Sequence, residues 1–593
     1  MPSSRSRRAV LIGLPSLALG LMLAGGWSAH LALGTREHLE AARDALLRLR
    51  TADVESASAV AGVLADARRH AHEARRLTDR PEWRLFTHVP VVGAGATTTR
   101  GLAAAAAQLT DVLSEIQRAG TPLIEAGTRS TGAGDLRPIL AGLDAVAPAL
   151  DHAVTRIAAV RTLVAATPEY TGVPALDLAR GTMLREIDRL SGWVRAGADA
   201  ATLLPPMLGR DGPRQYFLAF QTNAEARGTG GLVGAFGILT ADHGRLGIRR
   251  LSANNGLAPS SAPVADFGPA FTSRYGRGAT SLLSVSNLSP HFPYAAATWA
   301  GLWERKTGRS LDGAIATDPV GLAHLLKLIG PVRLPGGETV TAANVVDLTE
   351  RTSYARYPNP AERKRFLIRI AAAVSEALVG AEDVADPARA LPVLSRLVNE
   401  RRVQVWSRRD DEERRLAATP LGGTLPRRPG PFAALVINNS GGTKLDYYLK
   451  RSLTYTLGPC RGDGRRTSTV RIRLANDVPR GRLPTYVTGR LDAPRSRHTP
   501  GSNRLWVSLY AGIGARATAA RLDGRPVGFY AETELSHPVY STVLEFAPRQ
   551  ARTLEFDLVE PYSAASPVVP VQPLVRPQRT AIRREGQNCA PSP

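Results

Sequence analysis

The strongest constraint on this chain is a change of hydrophobic period at "LPPMLGRDGPRQ", Leu204 to Gln215. Before it, "LEAARDALLRLR", "AVAGVLADARRHAHEARRL" and "GLAAAAAQLTDVLSEIQRA" repeat apolar residues at helical spacing. After it, short apolar runs ("YFLAF", "LVGAFGILTA", "LDGAIATD", "GPVRLP", "RVQVWS", "PFAALVIN") alternate with helical patterns such as "DPVGLAHLLKLIG" and "AERKRFLIRIAAAVSEALVG". From Lys444 onward, "TSTVRIRLAND" and "NRLWVSLYA" alternate polar and apolar residues at strand period. A chain of 593 residues also exceeds the roughly 250 to 300 at which one core stops growing. The sequence therefore predicts a multidomain protein. A helical stalk or bundle over 34–204 precedes a central α/β domain over 213–440, an all-β sandwich over 441–562 and a Pro-rich basic tail over 563–593.

The N-terminus adds an expectation about location. Arg5, Arg7 and Arg8 lie in a basic segment, 1–8, followed by Ala9 to Leu33 with no Asp, Glu, Lys or Arg. That run exceeds the roughly 20 residues needed to cross a bilayer, and the arginines before it place the N-terminus in the cytoplasm. The expectation is a transmembrane signal anchor over 9–33, one pass through the cell membrane, and an extracytoplasmic bulk. A cleaved signal peptide ending near Ser28 and Ala29 is the competing reading. Lys plus Arg outnumber Asp plus Glu by 75 to 52, which favours anionic neighbours. Export selects envelope lipid or glycopolymer among them and excludes nucleic acid. The two cysteines, Cys460 and Cys589, are a disulfide candidate in an oxidising compartment.

Familiar catalytic signatures are missing: there is no Walker loop, no H-E-x-x-H and no G-x-S-x-G. His70 and His72, two apart on a helical pattern, point to different faces, so no metal site is assigned. Two motifs carry more. In "RTSYARYPNPAERKRFLIRI", Asn359, Pro360 and Glu362 fit the N-cap, first and third positions of a helix. Arg363 and Arg365 fall in its first turns and Arg356 precedes it, near free backbone N–H groups that favour anions. In "FQTNAEARGTGG", Asn223, Glu225 and Arg227 precede Gly228, Gly230 and Gly231 in what reads as a loop after a strand. The glycines would let backbone approach a ligand, or Glu225 and Arg227 would simply pin a hairpin.

The segments "YFLAFQTNAEARGTGGLVGAFGILTADHGRL", "LDGAIATDPVGLAHLLKLIGPVRL" and "LVINNSGGTKLDYYLKRSLTY" resemble the exported actinobacterial family catalogued as domain of unknown function 4012. Strand, Arg-bearing loop, second strand and Arg-rich "YARYPNPAERKRF" are also similar to LytR-CpsA-Psr phosphotransferases. That second resemblance implies membrane-anchored transfer of glycopolymer from a polyprenyl pyrophosphate, with arginines on the pyrophosphate and acidic residues on magnesium. On it, Arg227, Arg356, Arg363 and Arg365 match phosphate-binding arginines. The chain departs where that family has an Arg-Asp pair, reading "SANNGL", and where Gly228 replaces Ser-Asp after the first arginine.

The sequence-based expectation is a membrane-anchored, extracytoplasmic envelope protein that binds a phosphate-bearing lipid or glycopolymer through an Arg-lined site. A non-enzymatic scaffold or adhesion protein contacting other envelope proteins is the alternative, and a glycopolymer phosphotransferase is the second alternative. No catalytic residue and no cofactor is assigned, and magnesium enters only with the transferase.

Overall fold

The structure is a computed structural model that describes residues 30–51, 57–129, 136–381, 387–492 and 498–585. The chain divides into two compact units.

The first unit is helical, with α1 (His30–Thr51), α2 (Ala57–Thr78), α3 (Pro81–Phe86), α4 (Gly93–Arg129), α5 (Arg137–Ala165) and α6 (Pro174–Met207). Its core is lined with alanine: Ala42, Ala67, Ala71, Ala103 and Ala106 are fully buried beside Leu39, Leu109 and Ile157. Small side chains let helices approach closely, so Ala-rich stripes build this bundle rather than a solvated stalk.

One expectation is overturned. No helix among the described residues is long and apolar enough to cross a membrane. The run expected to do so, Ala9 to Leu33, lies outside the described residues up to Ala29. Its last residues open α1, which carries Arg36, Glu37, Glu40, Arg43 and Asp44 and is thus a charged helix. A transmembrane helix is therefore not part of the described fold.

The second unit holds three larger sheets beside the two-stranded pair Val332–Arg333 and Thr339–Val340. The central one contains β1 (Arg214–Arg227), β2 (Gly230–Asp242), β3 (Arg245–Ala253), β4 (Gly313–Thr317) and β5 (Val403–Ser407), in the order β3-β2-β1-β4-β5. β1 and β4 are parallel, with Tyr216 opposite Gly313 and Phe220 opposite Thr317, and β5 is antiparallel to β4. Helices α7 (Phe292–Thr307) and α8 (Pro319–Ile329) precede and follow β4. Phe217, Phe236, Phe292 and Trp299 fill the core on one face of this sheet. The helix expected after Asn359 forms as α9 (Pro360–Gly380), and the Asn359 side chain accepts from Ala361 N at 2.9 Å. α10 (Pro387–Asn399) follows it.

The other two sheets share one apolar core. β6 (Ala433–Asn439), β9 (Asn503–Ala511), β11 (Tyr530–Glu534) and β12 (His537–Phe546) form the order β11-β12-β9-β6. β7 (Leu449–Cys460), β8 (Arg465–Asn476), β10 (Arg516–Leu522), β13 (Ala551–Pro561) and β14 (Gln578–Arg584) make the larger sheet with the two-residue strand Arg525–Pro526. Its order is Arg525–Pro526, β10, β13, β8, β7, β14. Leu453, Ile472 and Phe556 from the larger sheet meet Leu505, Val507 and Phe546 from the smaller.

Two details differ from the sequence-based expectation. "PFAALVIN" supplies β6, which pairs with β9 in the sandwich and not with the central sheet; its seven residues are buried on both faces, which hides the alternation that would have assigned it. Where a tail is expected, Gln578–Arg584 adds a parallel edge strand to β7, with Arg579 opposite Ser452. Its composition is polar because an edge strand with little apolar contact needs only backbone pairing.

Candidate functional site

β1 is the element that organises the site. Its first half lies in the central sheet, and its second half, Gln221–Arg227, runs on beyond the last β4 pair at Phe220 and Thr317. The stretch expected as a loop is therefore strand, and the turn is only Gly228 and Thr229. Strand period places Asn223, Glu225 and Arg227 on one face and Ala224 and Ala226 on the other. Both faces are buried, and Ala226 joins the sandwich core. A polar strand face buried on folding must find partners, since each unpaired group costs on the order of 1 to 3 kcal/mol.

At the outer part of this face, Glu225 accepts from Arg227 Nη2 at 2.8 Å and pairs with Lys444. Burial works against ionisation of Glu225, but the two cations hold its carboxyl below the usual range. Arg227 spends its remaining donors on backbone: Nε on Ser284 O at 3.2 Å and Nη1 on Ala226 O at 2.9 Å. Lys444 lies 5.4 Å from the Tyr486 ring, and Arg363 stacks on the same ring at 3.8 Å. Arg363 also reaches over Tyr354 at 5.3 Å and donates to Tyr357 O at 3.0 Å.

Arg227 and Arg363 are thus linked through Glu225, Lys444 and Tyr486, although neither faces open solvent. Arg356 and Arg365 do not join them. Arg356 is exposed and pairs with Glu338 at 2.7 Å, and Arg365 is exposed on α9. The four arginines expected to line one pocket divide into two buried and two exposed. The glycines serve protein packing: a Cβ on Gly228 would stand 2.2 Å from Leu288 O, and one on Gly231 2.3 Å from Thr222 O. Gly230 adopts φ +144°, which a side chain disfavours.

The inner part lies at the carboxyl ends of the parallel pair β1 and β4, where α/β sheets commonly place ligands. Asp318 follows β4, caps α8 by accepting from Gly321 N at 2.8 Å, and pairs with Arg402 at 2.8 Å. Glu350 sits in a π-helical turn, Leu348–Thr352, a form that often marks functional sites. Its two carboxyl oxygens accept from Asn223 N at 3.1 Å and Ala224 N at 2.7 Å. Burial nonetheless pushes its pKa up to about 8. Asp446, also raised by burial, accepts from Ala226 N, Asn439 Nδ2 and Asn503 Nδ2 at 2.7 to 2.8 Å.

Arg451 stands out. It is 4% exposed, and only Nη2 is used, on the carbonyls of Gln572 and Arg576 at 3.1 Å. Its Nε and Nη1 are buried with no partner, and burial together with nearby Arg402 holds its pKa down at about 9. The Nε of Arg402, the Oδ1 of Asn223 and the Oγ1 of Thr317 are likewise buried without hydrogen bonds.

Sequence reasoning reached Asn223, Glu225, Arg227 and Arg363 but missed Asp318, Glu350, Arg402, Lys444, Asp446, Arg451 and Tyr486. Asp318 carried a readable signal in "DPVGL", the Asp-Pro start of a helix. The others come from distant segments and have no local signature. Among the described residues no group of three or more His, Cys, Asp or Glu side chains could hold a metal ion. Cys460 is disulfide-bonded; the chain's other cysteine, Cys589, lies outside the described residues.

Residues 211–354 match a family model described as a protein of unknown function (DUF4012), which covers β1 through the π-helical turn. No curated protein and no solved structure matches the chain.

Proposed function

We propose that this protein acts outside the cytoplasm as a receptor for a phosphate-bearing envelope lipid or glycopolymer, binding it without transferring it. The observation that carries the reading is Arg451: a buried guanidinium with two idle donors and no ion pair among the described residues, in the field of a second arginine, Arg402, and of Asp446. A buried charge left unpaired is costly, and guanidinium N–H groups suit phosphate oxygens. The disulfide at Cys460 supports an oxidising compartment. Binding is favoured over transfer because the carboxylates nearby are occupied by Arg402, Lys444, Arg227 and backbone N–H groups, which leaves none to hold a cation or activate a nucleophile.

The test is titration of the full chain with inorganic pyrophosphate, with a micellar polyprenyl pyrophosphate and with a soluble poly(glycerol phosphate), for the wild type and Arg451→Gln. Loss of affinity by tenfold or more in the variant supports the reading. Preference for the micellar probe or for the polymer assigns the lipid or the glycopolymer as source. Equal affinity in wild type and variant overturns the site.

A further inference from the structure

The six-stranded sheet turns one face to the sandwich core and the other to solvent. Leu453, Ile472 and Phe556 are buried on the inner face, so strand alternation sends Ser452, Thr454 and Thr456 of β7, and Arg471 and Arg473 of β8, outward. The β14 register places Arg579 opposite Ser452 and Arg583 opposite Thr456, on that same outer face.

The charge on this face is unbalanced. Its acids, Glu555 and Asp557 of β13, are both engaged: Arg471 pairs with Glu555 at 2.7 Å, and Arg521 holds Glu555 at 2.8 Å and Asp557 at 2.6 Å. Arg473, Arg579 and Arg583 are exposed, and among the described residues their guanidinium groups have no hydrogen-bonding or ion-pairing partner. Arg473, Ser452 and Arg579 form one cross-strand row, so the two arginines start two strand spacings apart, about 10 Å. Arg583 is four residues beyond Arg579, about 13 Å along the strand. Hydroxyls of Ser452, Thr454 and Thr456 occupy the strand between β8 and β14.

We propose that this outer face is a docking surface for a linear polyanion, a polymer with phosphate or carboxylate groups repeated along its length. Charge complementarity selects the occupant: three free cations spaced over a flat sheet can each meet a different charge of one extended chain, while the hydroxyls hydrogen-bond between them. A single small anion would reach only one of the three. The surface uses residues distinct from Arg451 and the buried network.

The test is binding of the full chain to long-chain inorganic polyphosphate and to triphosphate, at about 0.15 M salt where weak surface charge is screened. The combined variant Arg473→Ser, Arg579→Ser, Arg583→Ser is expected to bind the long polymer at least tenfold more weakly and with a shallower salt dependence, since fewer counterions are released. Triphosphate binding should be unchanged. The variant Arg249→Ser, Arg305→Ser, Arg309→Ser removes the same charge elsewhere on the surface and should keep wild-type affinity for the polymer. Equal weakening by the two triple variants would overturn the proposal, because charge alone would then explain the binding. So would unchanged affinity in the first variant, or binding of wild type to anionic vesicles with none to the polymer.

Discussion

Arg363 lies beneath Tyr486 with its guanidinium carbon 3.8 Å from the ring centroid. The ring is 44% exposed while the arginine is 2% exposed, so the tyrosine, carried on the connection between β8 and β9, covers a cation supplied by α9. Lys444 is under the same ring. Replacing Tyr486 by Ala should lower stability by about 1 kcal/mol, the scale of a partly desolvated cation–π contact. Phe keeps the ring face and should be nearly neutral. Urea unfolding of the three proteins checks this; equal losses for Ala and Phe would assign the effect to the hydroxyl instead of the ring.

Glu225 is bound between Arg227 and Lys444, and all three are buried or nearly so. Removing the acid leaves two cations without their counter-charge, so Glu225→Gln should destabilise by about 3 kcal/mol or more. Combining it with Lys444→Met removes one of those orphaned charges and should recover part of the loss. A denaturant-based double-mutant cycle reads the coupling. Additive losses would mean that Lys444 and Glu225 act independently.

The helical unit, the sandwich and the strand–helix alternation of the central sheet were legible because each follows a local period. The capped start of α9 was legible for the same reason, since Asn359, Pro360 and Glu362 are contiguous. Its solvent face was not: Arg363 precedes Phe366 by three and Ile370 by seven, so it lies on the buried stripe, while Arg365 is exposed. In an Arg-rich chain nothing local separates the two. "NAEAR" has strict strand alternation, but nearby glycines suggested a loop. The sequence could not show that β1 outruns β4, because that depends on β6 and on Gln572, whose side chain donates to Arg227 O at 2.6 Å. Arg451 had no local signature for a related reason, since the carbonyls that hold it belong to Gln572 and Arg576, more than a hundred residues away.

Gly228 tests whether the hairpin glycines serve packing or a ligand. A Cβ there would meet the Leu288 carbonyl oxygen at 2.2 Å and the Ser289 carbonyl carbon at 2.5 Å, and backbone cannot swing aside as a side chain would. Gly228→Ala should cost about 2 kcal/mol or more, the range of overpacked sites. In α2, Gly62 has no atom within 4 Å of such a Cβ, so Gly62→Ala should instead stabilise by about 0.5 to 1 kcal/mol. Thermal unfolding of both variants checks the opposite signs. A neutral Gly228→Ala would mean that the turn has room, and would return the glycine to the role of admitting a ligand.

Glu350 should make stability depend on pH. Burial, the largest influence, raises its pKa from 4.5 to about 8 against the pull of two backbone N–H donors; Asp318 adds to the rise and Lys444 opposes it. Below about pH 4.5 the group is protonated whether the chain is folded or not, and it contributes no pH dependence. Between about 4.5 and 8 the unfolded chain releases this proton while the folded one keeps it, so the native state loses stability as pH rises, by up to about 5 kcal/mol. Above about 8 both states are ionised and the loss levels off. In Glu350→Gln this slope should vanish, leaving a stability difference between pH 5 and pH 8 smaller than that of the wild type. Chemical unfolding at the two pH values measures it, and an identical difference in both proteins would show that Glu350 is ionised in the folded protein at neutral pH.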